Sequence, residues 1–300
     1  MDTDAITDTS AAALGDDRLV DRYADLDDVR LHYVEAGSGR CVMFLHGFPE
    51  FWYAWRNQLV EFGATCHAVA PDMRGYNLSS KPDGLGAYRM RHLAGDIKAL
   101  LNALGHERMV LVGHDWGGVV AWATAIMYPE IIDRLVIMNA PHPAIFSRLL
   151  AEDESQIKAS QYMTDFLDPT TEDRLLAGNA TEINKWIVDY GIKKGFLDAA
   201  DGARYRAAWQ MPGAMTGMLA YYRAQAESKG APGDPEALTV RVPTWVLWGM
   251  KDRALLPANI ECLEMYVPDL TLVRAEDADH WVVHQRPDLV SQVVRAALES

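Results

Sequence analysis

The chain is predicted to be an α/β protein: a mostly parallel central sheet flanked by helices, with an all-helical cap inserted between two parts of the sheet. Three observations predict it. From residue 29 onward, short apolar runs of strand length alternate with longer segments of helical periodicity, the pattern of parallel strands joined by crossover helices. Between residues 143 and 237 the alternation stops and the periodicity is helical throughout; it resumes at 238. With 300 residues and 49% hydrophobic content, the chain is long enough for one sizeable core plus a smaller unit.

The elements follow in order. Residues 1–18, acidic and rich in Ala and Thr, read as a flexible tail. The stretch 29–34 has mixed polarity and reads as an early, edge-like strand, while 41–45, 65–70, 109–112, 135–138, 244–248 and 270–273 read as buried parallel strands. Leu93, Ile97, Leu100, Leu101 and Leu104 share one helical face, and Gly105 is a usual stop. An apolar helix is expected over 119–128. Within the insert, 181–187, 204–210 and 215–225 look helical, and the Pro/Gly-rich stretch 230–235 closes it. Pro287 suits the start of a last helix, with Leu289, Val290, Val293, Val294 and Ala297 facing the core. The core is therefore expected over 19–142 and 238–300, and the cap over 143–237, above the strand ends where open α/β sheets bind ligands.

Charge narrows the partners. Lys and Arg number 28 against 42 Asp and Glu, a balance of −14 that argues against nucleic acid and anionic membranes and suits a neutral small molecule. Cys41, Cys66 and Cys262 form no zinc spacing or disulfide framework. No metal or organic cofactor is implied. Without a signal-peptide pattern or a run of roughly 20 apolar residues, a cytoplasmic location is expected. A homodimer would be unsurprising.

The strongest chemical signal is Gly113-His114-Asp115-Trp116-Gly117-Gly118 between a strand and an apolar helix. Strand, Gly-x-Asp-x-Gly, helix is the geometry of a nucleophile elbow, in which small residues let a sharp turn project one side chain above the sheet. That residue is Asp115. A carboxylate is ionised at neutral pH and needs no base to unmask it, so it suits attack at a saturated carbon and disfavours a serine-type esterase. The resulting alkyl ester needs a water activated by a base, a carboxylate to orient the base, and donors for the oxyanion. His280, after the last strand, is the base, with His284 as its rival; Asp252, after 244–248, is the orienting acid, since the equivalent residue one strand earlier is Asn139. The turn Leu45-His46-Gly47-Phe48-Pro49 offers the Phe48 N–H, and Trp116 offers a second. His46 reads as a structural histidine of that turn. Aromatic residues crowd these motifs, and Phe48 and Trp116 are expected to line an apolar pocket.

With these residues in place, the chain from about Leu19 to Leu298 resembles the α/β-hydrolase fold family, and within it the Asp-nucleophile epoxide hydrolases. His46-Gly47-Phe48-Pro49-Glu50, Arg74-Gly75-Tyr76, the elbow and His280-Trp281 are similar to that group's ordered motifs. The resemblance implies hydrolysis of a neutral epoxide to a vicinal diol, with two cap tyrosines protonating the leaving oxygen. Tyr162, placed on the first cap helix, and Tyr222 take that role, with Tyr221 a competitor for the second; both, with His280, would line the substrate pocket. Haloalkane dehalogenases are also similar and share the Asp followed by Trp, but often carry a halide-binding Asn where this chain has Phe48; Trp186 or Trp209 would have to serve instead. Fluoroacetate dehalogenases follow the nucleophile with Arg, and Trp116 and Val119 stand in that stretch here. A non-catalytic binding protein on this fold is disfavoured because each chemical role has a residue. Two departures from the epoxide hydrolase pattern, Asn77 and Asp279 where Gly is frequent, are residues that tolerate left-handed backbone.

Overall fold

The structure, a computed structural model, describes residues 8–228 and 235–300. The strands are β1 (Val20–Asp25), β2 (Arg30–Gly37), β3 (Cys41–Leu45), β4 (His67–Pro71), β5 (Met109–His114), β6 (Ile132–Met138), β7 (Thr244–Gly249) and β8 (Leu270–Ala275). They form one sheet in the order β1-β2-β4-β3-β5-β6-β7-β8. Both pairings of β2 are antiparallel, and from β4 to β8 all are parallel. β3 and β5 are buried along their whole length, as strands covered by helices on both faces must be. The stretch 29–34 is not the edge. β1, which sequence patterning missed because its burial alternates weakly, takes that place and pairs with β2 from Val20↔Glu35 to Asp25↔Arg30.

Among the described residues the helices of the core are α1 (Arg56–Phe62), α2 (Met90–Ala103) and α3 (Trp116–Met127), followed beyond the cap by α10 (Val282–Gln285) and α11 (Pro287–Glu299). α2 buries Leu93, Ile97, Leu100 and Leu101, and Gly105 follows it with φ 76°. The run between β6 and β7 is helical: α4 (Pro143–Glu152), α5 (Glu154–Ala159), α6 (Gln161–Asp165), α7 (Thr171–Lys194), α8 (Ala199–Trp209) and α9 (Ala214–Glu227). α7 breaks between Ala177 and Ala180, where Gly178, Asn179 and Ala180 take positive φ. The stretch 230–235 expected to close the cap lies, up to residue 234, outside the described residues. Among those described, no helix is long and apolar enough to cross a membrane.

Residues 8–18 are docked, contrary to the expectation of a flexible tail; 1–7 lie outside the described residues. The Thr9 hydroxyl donates to Asn77 Oδ1 and its carbonyl accepts from the Trp52 indole, while the Ala11 and Ala12 N–H groups donate to Asp21. Composition misled here because a few buried polar bonds, not an apolar stripe, hold the segment. Behind them His32, fully buried, lies between Asp72 (2.7 Å) and Asp21 (3.0 Å). Burial alone would push the His32 pKa down, but the two carboxylates carry it up to about 9.

A folded-state pKa above the unfolded value means that the stabilisation is complete below about 6.5 and is lost as pH rises through about 9. Between pH 6 and pH 10 the stability advantage of the native protein over His32→Gln should therefore shrink by on the order of 3 kcal/mol, as read by denaturant unfolding. A difference that stays flat with pH would show that His32 is neutral in the folded protein.

Candidate active site

Asp115, Asp252 and His280 follow the carboxyl ends of β5, β7 and β8 on one side of the sheet. Asp115 follows β5 with φ 50° and ψ −123°, a strained backbone for a residue with a side chain, costing about 1–3 kcal/mol. The turn exists because its neighbours are small. A Cβ on Gly117 would lie 2.3 Å from the Leu45 carbonyl oxygen, and one on Gly47 would lie 2.4 Å from the Asp115 Cβ, so the turns after β3 and β5 touch only as glycines. That approach brings the Phe48 N–H to Asp115 Oδ1 at 2.7 Å. Trp116 opens α3, where first-turn N–H groups have no intrahelical acceptor, so its main chain presents a second donor beside Asp115.

His280 Nε2 stands 3.6 Å from Asp115 Oδ2, and its Nδ1 is 2.8 Å from Asp252 Oδ2. Asp252 follows β7 and is buried; Asn139 Nδ2 donates to Oδ2, while the Ala254 and Leu255 N–H groups donate to Oδ1. Burial opposes ionisation, but His280 and these donors hold the Asp252 carboxyl below its usual range. Burial likewise lowers the His280 pKa, yet Asp252, Asp115 and Glu50 carry it up to about 9. His280 is thus an imidazolium facing the Asp115 carboxylate at neutral pH.

The cap supplies two phenols. Tyr222, on α9, and Tyr162, on α6, face the site with ring centroids 6.2 Å apart. Tyr162 belongs to the third cap helix and not the first, because Asp153 and Ser160 break the expected first helix into three short ones. Burial and then the Asp115 charge push both phenols well above 10, so each is kept protonated. Tyr221 points elsewhere: its hydroxyl donates to the Arg74 carbonyl at 2.9 Å. The sequence rivals separate in the same way. His284 is bound to Glu50 at 2.5 Å, and His46 accepts the Met73 N–H in its turn. Trp209 donates to the Pro49 carbonyl, which leaves Trp186 as the pocket tryptophan of the two. Asn77 has φ 37°, whereas Asp279 is not left-handed and instead accepts from Tyr190 and the Trp281 N–H.

Comparison with known proteins agrees with this geometry. A family model described as the alpha/beta hydrolase fold matches residues 41–287. Epoxide hydrolase 1 of Caenorhabditis elegans is 35% identical over 286 residues, covering 92% of this chain and 70% of that protein. The chain belongs to the α/β-hydrolase fold family, among its epoxide hydrolases. The AB hydrolase superfamily protein YfhM of Bacillus subtilis (strain 168) is 34% identical to this hydrolase over 282 residues, with 93% and 98% of the two chains covered. The crystal structure of the Bacillus megaterium epoxide hydrolase with an inhibitor superposes at a TM-score of 0.88 with 36% identity, covering 93% of this hydrolase and all of that chain.

Sequence reasoning assigned no role to Glu50 or to Asn139. Glu50 is fully buried behind the hydrolase's site, where the Tyr205 hydroxyl donates to it, His284 lies at 2.5 Å and His114 Nδ1 at 3.3 Å. His114 in turn places Nε2 2.8 Å from the His280 carbonyl. A Glu directly after the Gly-Phe-Pro turn was the one available signal; its partners come from α8, α10 and the end of β5, all far away in sequence. Among the described residues no group of three or more His, Cys, Asp or Glu is placed to hold a metal ion.

Removing Glu50 leaves the buried Tyr205 hydroxyl and the His284 and His114 rings without the carboxylate they surround. Glu50→Ala should lower the unfolding free energy by about 3–5 kcal/mol in a denaturant titration. A loss under about 1 kcal/mol would mean that the cluster contributes little to folding.

Proposed function

We propose that the protein hydrolyses epoxides to vicinal diols in two steps, through a covalent ester on Asp115. One observation carries the reading: the Asp115 carboxyl group shares its cavity with two cap phenols that burial keeps protonated, and a carboxylate-backed histidine stands behind it. The relatives named epoxide hydrolases support it. Opening an epoxide puts charge on a strongly basic oxygen, so an acid has to meet it, and the phenols are that acid.

In the first step Asp115 Oδ2 attacks an epoxide carbon and the carbon–oxygen bond breaks. Tyr162 and Tyr222 hold the departing oxygen, and one of them gives it a proton that solvent later restores. Oδ1, already on the Phe48 N–H, becomes the carbonyl oxygen of the ester. Forming the ester also removes the negative charge that faced His280. With one of the three carboxylates that raise its pKa gone, His280 releases its proton more readily and becomes available as a base. In the second step it takes a proton from water, which attacks the ester carbonyl carbon. The charge that develops on Oδ1 meets the N–H groups of Phe48 and Trp116, and Asp252 balances the imidazolium. On collapse the diol oxygen leaves with the proton that His280 took from the water, the Asp115 carboxylic acid so formed returns its proton to His280, and the water oxygen stays on Asp115.

Single turnover of styrene oxide in 18O-labelled water should place the label in the peptide that contains Asp115, and His280→Gln should accumulate the alkyl-enzyme as a mass increase equal to the epoxide. Label found only in the diol would overturn the covalent route. Tyr222→Phe should slow ester formation by about 10²-fold in stopped-flow fluorescence, a typical size for the loss of one positioned acid. Tyr221→Phe should leave that rate within a few-fold, and the reverse order would move the role to Tyr221.

A further inference from the structure

The two phenols stand on different helices, so their spacing depends on what joins those helices. α9, which carries Tyr222, is 14 residues long, whereas α6, which carries Tyr162, has 5. A helix that short does not hold together alone, so tertiary ties decide where it sits. One tie runs directly to α9. Arg223 follows Tyr222, and successive helical residues point about 100° apart, so its side chain leaves the cavity that Tyr222 faces. Its guanidinium reaches the segment that follows α6: Nε donates to the Phe166 carbonyl at 3.1 Å and Nη2 to the Asp168 carbonyl at 3.0 Å. The Glu172 carboxylate, at the start of α7, completes the set, with Oε1 on Nη1 and Oε2 2.9 Å from Nη2.

Carbonyls at the end of a helix have no intrahelical donor, and a planar guanidinium meets them and a carboxylate in one fixed arrangement, which an ammonium does not. The Arg223 and Glu172 side chains are 16% and 18% exposed, so the pair is largely shielded from water and salt, unlike a surface ion pair. Phe166 passes the restraint to the site. Its main chain is held by Arg223, and its ring packs on Tyr162 at 5.5 Å between centroids, on Tyr222 at 4.9 Å and on Phe48 at 5.4 Å. We infer that Arg223 is a positioning residue for ring opening: it holds the segment after α6 against α9 and so sets the distance between the two phenols. This rests on the epoxide-hydrolysis reading and adds to it a residue that touches neither substrate nor reacting atoms. Ester hydrolysis uses neither phenol, so the clamp serves the first step alone.

Stopped-flow fluorescence with styrene oxide reads the two steps separately. Arg223→Met should slow ester formation by about 10- to 10²-fold, the loss expected when a reacting group is misplaced by about 1 Å, and leave ester hydrolysis within about 3-fold. Arg223→Lys keeps the charge and the stem but not the fork, so it should slow the same step, and it is the variant to read if Arg223→Met does not fold. Beside Tyr222→Phe, where no pair of phenols is left to space, the loss caused by either Arg223 substitution should be at least about 3-fold smaller. Ester formation within about 3-fold of native in a folded Arg223 variant, equal losses in both steps, or an undiminished loss beside Tyr222→Phe overturns the clamp while epoxide hydrolysis stands. No ester on Asp115 of the native protein overturns epoxide hydrolysis and the role of Arg223 with it.

Discussion

The contact between the turn after β3 and the turn after β5 is the constraint on which the molecule depends. Two main chains approach so closely that Gly47 and Gly117 have no room for a Cβ, and the reward is one short hydrogen bond from the Phe48 N–H to Asp115 Oδ1. That bond sets the orientation of the carboxylate. It leaves Oδ2 toward the cavity and His280 and fixes in advance which oxygen becomes the ester carbonyl. The strain at Asp115 is offset by the parallel strands on either side, which are fully buried and cannot relax without disturbing the sheet.

Around that contact the electrostatics form one system. Asp115, Asp252 and Glu50 all raise the proton affinity of His280 against the effect of its burial. The same Asp115 charge helps keep the two phenols protonated. Turning Asp115 into a neutral ester therefore changes the acid strength of groups on both sides of it, the phenols above and the histidine behind. In the proposed mechanism a single covalent event moves the site from a state suited to protonating an oxygen to one suited to deprotonating water.

Those parts of the molecule that repeat a period, or that use residues with few alternative roles, were legible in the sequence. The buried strands and the faces of α2 and α11 follow from hydrophobic spacing, and Gly-His-Asp-Trp-Gly-Gly after a strand leaves little room for another geometry. β1, the docked residues 8–18 and the short α4, α5 and α6 were not legible: β1 because its burial alternates weakly, residues 8–18 because bonds to the side chains of Asn77 and Asp21 hold them, and the three helices because Asp153 and Ser160 divide them into short pieces. The roles of Glu50 and Asn139 were hidden for a related reason. An Asn after β6 looks like an absent acid until β7 is known to lie beside it, where its amide binds Asp252.

The cap is fastened unevenly. α8 and α9 are tied to the reactive turns by buried bonds, Tyr205 to Glu50, Trp209 to the Pro49 carbonyl and Tyr221 to the Arg74 carbonyl. α4 has no such bond to those turns, and α5 meets the core chiefly through Gln156, which reaches the loop around Ala254 and Asn259. α8 and α9 are thus part of the chemical machinery's frame, and α4 is a replaceable wall. Mutations that accumulate in α4 can change what the cavity accepts while the frame goes on holding the carboxylate and its donors, which gives this fold a route to new substrates that does not pass through loss of catalysis.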